Sequence, residues 1–128
     1  MRRLFWAAGV CLLPWIAVLG TTLPDVVQAQ HWRLAWTGID AVEAAGLLVT
    51  AWLLGRDDPR TPLVATATAT LLLADAWFDV TTAGPGLDHS LALVQGLVLE
   101  VPLAILAFAL ASRTLRASGR SAPAPVGG

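Results

Sequence analysis

The sequence predicts an all-α integral membrane protein, a four-helix bundle with antiparallel up-down connectivity. Three observations carry this. Hydrophobic residues fill 56% of the 128 positions and charged residues only 13%, whereas a soluble domain carries about 25% charged residues. Four apolar runs, 4–20, 32–54, 62–82 and 90–111, take up most of the chain. None alternates as a membrane β-strand does, and Ala and Leu dominate them. At ~1.5 Å per residue the last three cover about 30–35 Å, the thickness of a hydrocarbon core. No stretch between the runs is long enough for a separate soluble domain. A soluble enzyme, a nucleic-acid binder and a disulfide scaffold are thereby excluded.

The first run extends through Leu23, giving a span over residues 4–23 that ends at Thr21-Thr22-Leu23-Pro24-Asp25. A cleavable secretory signal is its rival. Arg2-Arg3, an apolar core and Val27-Gln28-Ala29 before Gln30 fit that pattern. The long core and its interruption at Pro14 favour a retained helix. The second span, 32–54, stops at Gly55-Arg56-Asp57-Asp58-Pro59-Arg60. The third, 62–82, opens with Pro62, whose missing N–H costs nothing in a first turn, and it closes at Ala83-Gly84-Pro85-Gly86. The fourth is 90–111. Residues 1–117 thus form one four-span domain. Residues 118–128, rich in Gly, Pro, Ala and Ser, read as a disordered cytoplasmic tail.

All eight basic residues are arginine. With both termini in the cytoplasm, Arg2, Arg3, Arg56, Arg60, Arg113, Arg116 and Arg120 lie inside and only Arg33 outside, as the positive-inside rule requires. Trp6 and Trp52 then mark the inner interface and Trp32 the outer one. The expected location is the cell membrane.

Of nine acids, Asp25, Asp57, Asp58 and Asp88 fall in loops. Asp40, Glu43, Asp75, Asp79 and Glu100 fall inside spans. An acid at a helix centre costs about 2.5–3.5 kcal/mol on insertion scales, so five on lipid would cost on the order of 10 kcal/mol. They are expected to face a shared interior. Spacing supports this, since Asp40/Glu43 and Asp75/Asp79 each share one helical face. Thr68, Leu72 and Thr82 extend the second stripe, and Trp36 and Leu47 flank the first pair by one turn. Counted from the outer ends, Asp79 lies about 5 Å deep, Asp75 and Asp40 about 10 Å, and Glu43 and Glu100 about 15 Å. No Lys or Arg reaches that depth. The acids must therefore be protonated, share protons, or hold a cation, of which a divalent cation is the cofactor considered.

Other polar residues are less telling. His31 and His89 at the outer mouth and Trp36 are peripheral candidates for metal or proton partners, and solvated loop histidines are the ordinary alternative. Trp77-Phe78 reads as packing or belt, although an indole N–H suits a carboxylate. Cys11 and Gly96 read as packing residues. Pro102 removes the bond to the Val98 carbonyl and is expected to kink the fourth span. No HExxH, CxxC, GxSxG, Walker or GxGxxG pattern occurs, neither histidine fits a Glu-x-x-His helix, and the paired carboxylates come without a nucleophile or a positive clamp for phosphate.

The stretch Leu71-Leu72-Leu73-Ala74-Asp75-Ala76-Trp77-Phe78-Asp79-Val80, with Trp36-Thr37-Gly38-Ile39-Asp40-Ala41-Val42-Glu43, resembles a group of small four-span bacterial membrane proteins with a DAWFD-type motif. The resemblance covers the second and third spans. It implies the four-span layout and no particular activity.

Three functional readings follow. The first is an outward-facing carboxylate pocket that binds or moves protons or cations. The second is a non-catalytic subunit whose acids pair with a basic residue of a partner membrane protein, or a second copy of this chain, within the bilayer. The third and weakest is a lipid-modifying enzyme. The bland alternative for the acids themselves is structural glue between helices.

Overall fold

The computed structural model describes residues 2–120, which form helices and short connections. The helices are α1 (Arg2–Thr22), α2 (Trp32–Leu54), α3 (Thr61–Thr82), α4 (Leu87–Gln95) and α5 (Val101–Arg120), with a π-helical turn, Gly96–Glu100, joining the last two. Three helical stretches, Trp32–Leu54, Thr61–Thr82 and Leu87–Ala117, are long and apolar enough to cross a membrane, while the apolar part of α1, Trp6–Thr22, is shorter. The chain divides after Trp32 into two compact units.

In the first unit α1 runs through Pro14. The Thr21 and Thr22 hydroxyls donate to the carbonyls of Ala17 and Val18 at 3.0 and 2.7 Å. Such back-bonding satisfies a hydroxyl without water, and it recurs at Thr68, Thr70, Thr81 and Thr82 of α3. That is how a helix carries threonine in apolar surroundings.

The second unit is built inside out relative to a soluble domain. Its buried apolar residues are mostly alanines: Ala65, Ala69, Ala76, Ala104, Ala107 and Ala111. Large side chains such as Leu48, Leu63, Trp77 and Leu106 are more than 60% exposed. Small residues at these positions let the helix backbones approach closely. The core gathers Ala69 and Leu72 of α3 with Ala104 and Ala107 of α5, and Leu47 of α2 and Phe108 pack against it.

Contacts between the helices step in opposite senses along the chain. Glu43 meets Asp75 and Gly46 meets Thr68. Asp79 meets Gln95, Asp75 meets Glu100, and Ala69 and Leu72 meet Ala104 and Ala107. The turns that permit this are short. At the end of α2, the Asp58 N–H reaches the Leu53 carbonyl and the Asp57 N–H the Leu54 carbonyl. These are the two bonds of a Schellman motif. The left-handed residue is Asp57, with φ 51°, and not the nearby Gly55. Asp58 then folds its carboxylate onto the Arg60 amide at 2.9 Å, an Asx turn that delivers the chain into α3. Between α3 and α4, Gly86 takes φ 93°, a conformation that costs glycine nothing.

Three expectations change. The last helix starts at Leu87 and not at 90, and it runs to Arg120, three residues into the stretch read as tail; residues 121–128 lie outside those described. The irregularity expected at Pro102 lies one turn earlier, where the Val101 N–H bonds the Gly96 carbonyl five residues back. Pro102 has no N–H to hold the α register, so the ladder slips just ahead of it into a π turn. Thr82, placed on the acidic stripe by spacing, is exposed.

Candidate carboxylate site

Asp40 and Glu43 stand three residues apart on α2, and Asp75 and Asp79 four apart on α3, so each pair projects from one face of its helix. Glu100 closes the π turn. The structure brings these five side chains together as two overlapping triads. Carboxylate oxygens of Asp40, Glu43 and Asp75 lie within 4.8 Å of one another, and so do those of Asp75, Asp79 and Glu100. Asp75 belongs to both.

Burial grades across the group. Glu43, Asp75 and Glu100 are only 7%, 2% and 4% exposed. Asp79 is half-buried and Asp40 exposed, which makes these two the rim. One oxygen of each deep acid, Glu43 Oε1, Asp75 Oδ1 and Glu100 Oε2, is buried without a hydrogen-bond partner. Buried polar atoms are normally satisfied, and each exception calls for an explanation. Among the described residues no arginine pairs with these acids; the one ion pair is Arg60 with Asp58, 2.9 Å apart in the loop before α3.

Gln95 ties the second triad together. Its Nε2 donates to Asp79 Oδ2 at 3.1 Å and to Glu100 Oε1 at 2.8 Å. The π turn makes this geometry. Five residues apart on an α-helix point about 140° away from each other, whereas the π turn closes residue i onto i+5. Sequence reasoning missed Gln95 for that reason. The available signal was a polar amide within an apolar run, and α periodicity aims it elsewhere.

Beneath the deep acids lies an apolar floor. Leu47 is one turn from Glu43, Leu72 one turn from Asp75 and Ala104 one turn from Glu100, and the three belong to the same packed core. Buried hydroxyls resume beyond it, at Thr68, Thr50 and Thr61. The acids thus lie between Asp40, exposed, and Asp79, half-buried, on one side and an apolar layer on the other.

The peripheral candidates stay outside the triads. His31, with φ 58°, lies in the loop before α2 and His89 in the first turn of α4, and among the described residues neither joins a group of potential ligands. Trp36 is half-buried one turn from Asp40. Trp77, between the two α3 acids in sequence, is 68% exposed and so lies on the opposite side of the helix from Asp75. Cys11 is exposed on α1.

A group of carboxylates without imidazole or thiolate suits hard cations and protons. Among the described residues no histidine, cysteine or arginine joins the two triads. No family model matches the chain, and no curated protein or solved structure is significantly similar to it.

Proposed function

We propose that this chain is a four-span membrane protein whose carboxylate recess, opening towards the outer face, binds a cation in exchange for protons. One observation carries the reading: three buried carboxylate oxygens without hydrogen-bond partners converge among five acids with which no arginine pairs among the described residues. Desolvating one uncompensated charge already costs several kcal/mol, and a cation is the partner that offsets several at once. The opposite-running helix contacts support antiparallel neighbours, and the exposed leucines and tryptophans support immersion in lipid. The arginine distribution supports cytoplasmic termini. The likeness to small four-span bacterial proteins belongs to the same proposal. Structural glue explains one or two acids, but it leaves unpartnered oxygens unexplained.

Thermal unfolding of the detergent-purified protein in chelator and after adding single cations tests the reading. A bound cation at one hundred times its Kd stabilises by about 2.7 kcal/mol. Asp75→Asn, which keeps the shape of the side chain, retains the fold and loses that gain. Absence of any cation-dependent shift, together with no binding by equilibrium dialysis, refutes it.

The exposure of Asp40 favours a second reading, in which the rim acid meets a basic residue on a partner's helix. That reading requires the protein to be unstable when purified alone, and to lose a co-purifying partner on Asp40→Asn.

A further inference from the structure

The two triads differ in what they offer a ligand, and the difference specifies the occupant. We infer that the recess is a dinuclear site: two hard divalent cations of the magnesium, calcium and manganese class, one per triad, bridged by the carboxylate of Asp75. This rests on the cation-binding reading above and goes beyond it in number, chemical class and arrangement.

Four observations carry it. Asp75 is the residue common to both triads, and a carboxylate has two oxygens, one for each ion. The unpartnered buried oxygens are divided evenly, with Glu43 Oε1 in the first triad, Glu100 Oε2 in the second, and Asp75 Oδ1 in the residue they share. Each deep carboxyl is more than nine-tenths buried. Charge agrees, since five carboxylates against two divalent ions leave one negative charge, which a single proton or the exposed Asp40 accommodates. One divalent ion would leave three negative charges in the same recess.

The donor set selects the class. All five ligands are carboxylates, the chemistry of hard cations, and zinc or copper would call for the imidazole or thiolate that neither triad contains. Three carboxylates per ion leave coordination positions for water, which magnesium and calcium sites ordinarily retain. The rim, exposed at Asp40 and half-buried at Asp79, lets water in. Bridged pairs of this kind place two metals about 3.5–4 Å apart.

Gln95 makes the triads unequal. Its amide holds Asp79 and Glu100 and leaves Glu100 Oε2 free to ligate. Among the described residues no side-chain amide bridges the acids of the first triad. Gln95 is therefore a positioning residue for the second site, which fills first.

Manganese(II) alone is the probe, with the full-length protein in detergent or nanodiscs. Equilibrium dialysis is expected to give two ions per chain, and electron paramagnetic resonance a spin-coupled pair at saturation. Glu43→Gln and Glu100→Gln should each leave one ion with an uncoupled manganese spectrum. Gln95→Leu should weaken the first-filled step by about tenfold to a hundredfold, the usual cost of losing an outer-shell partner, and spare the other step, which a general loss of folding would not do. Should Asp75→Asn fail to fold, the two glutamate variants still decide. One ion per chain, lost in both Glu43→Gln and Glu100→Gln, overturns the dinuclear site and leaves the cation reading standing. Two ions without spin coupling overturn the Asp75 bridge. No bound ion at all overturns both.

Discussion

Gly46 of α2 lies directly against Thr68 of α3: a β-carbon added at Gly46 would fall 2.5 Å from the Thr68 Oγ1 and 3.1 Å from its Cγ2. The hydroxyl is already committed to the Val64 carbonyl at 2.9 Å, and a β-branched side chain has few rotamers in which to retreat. The contact lies two turns below Asp75 on α3, so it sets the distance at which α2 presents Glu43 to α3.

Gly46→Ala is therefore expected to destabilise the protein by about 1–3 kcal/mol, as overpacking does, and to weaken cation binding by moving Glu43 away from Asp75. Adding Thr68→Ala removes both close atoms and restores most of the loss. A double-mutant cycle on thermal or denaturant unfolding should show a coupling of about 0.5–3 kcal/mol. Additive effects would mean that the helices are not in contact there.

Cation uptake should release protons. Ligating carboxylates must be deprotonated, so affinity falls as pH falls and binding in weakly buffered solution acidifies it. A pH-indicator titration with manganese measures the protons released per ion. Asp75→Asn should abolish the signal. Infrared spectra in metal-free buffer and after loading should show protonated-carboxyl absorption disappearing as the ion enters.

The floor of Leu47, Leu72 and Ala104 separates the acids from the hydroxyls at Thr50 and Thr61. A bare divalent ion cannot cross hydrocarbon unaided. Reconstituted vesicles should bind manganese without admitting it, as read by quenching of a trapped dye. Flux above that of empty vesicles would show that the floor opens.

In the loop between α2 and α3, the Asp58 carboxyl is held down from 3.8 to about 2 by hydrogen bonds from the Arg60 side chain and amide. Folding lowers this pKa, so its contribution is complete above 3.8 and fades as pH falls towards 2. The pair is exposed and the effect is correspondingly small. A side-chain carbon NMR titration should place the midpoint of Asp58 near 2, and Arg60→Ala should return it towards 3.8.

Much of the site was legible in the sequence because it depends on periodicity. Spacings of three and four residues put Asp40 with Glu43 and Asp75 with Asp79 on shared faces, whatever surrounds them. The cost of an acid in hydrocarbon then argues that the faces converge. Three helical stretches long and apolar enough to cross a membrane followed from lengths of apolar chain, and Gly86 and Pro62 took the turn and first-turn positions that suit their backbones.

What the tertiary structure decided lies between helices or in departures from the α register. Which acid is shared depends on the vertical offset of three helices, and that offset is set by contacts such as Gly46 with Thr68 that no single-helix pattern contains. Burial separated Asp40 at the rim from Asp75 at the base, although both had been placed at the same depth by counting. The slip into a π turn ahead of Pro102 rotated Gln95 towards Glu100, against the direction in which α periodicity aims it. Sequence pattern specifies directions around one helix axis; the distances between axes, and the points where the ladder changes register, come from packing.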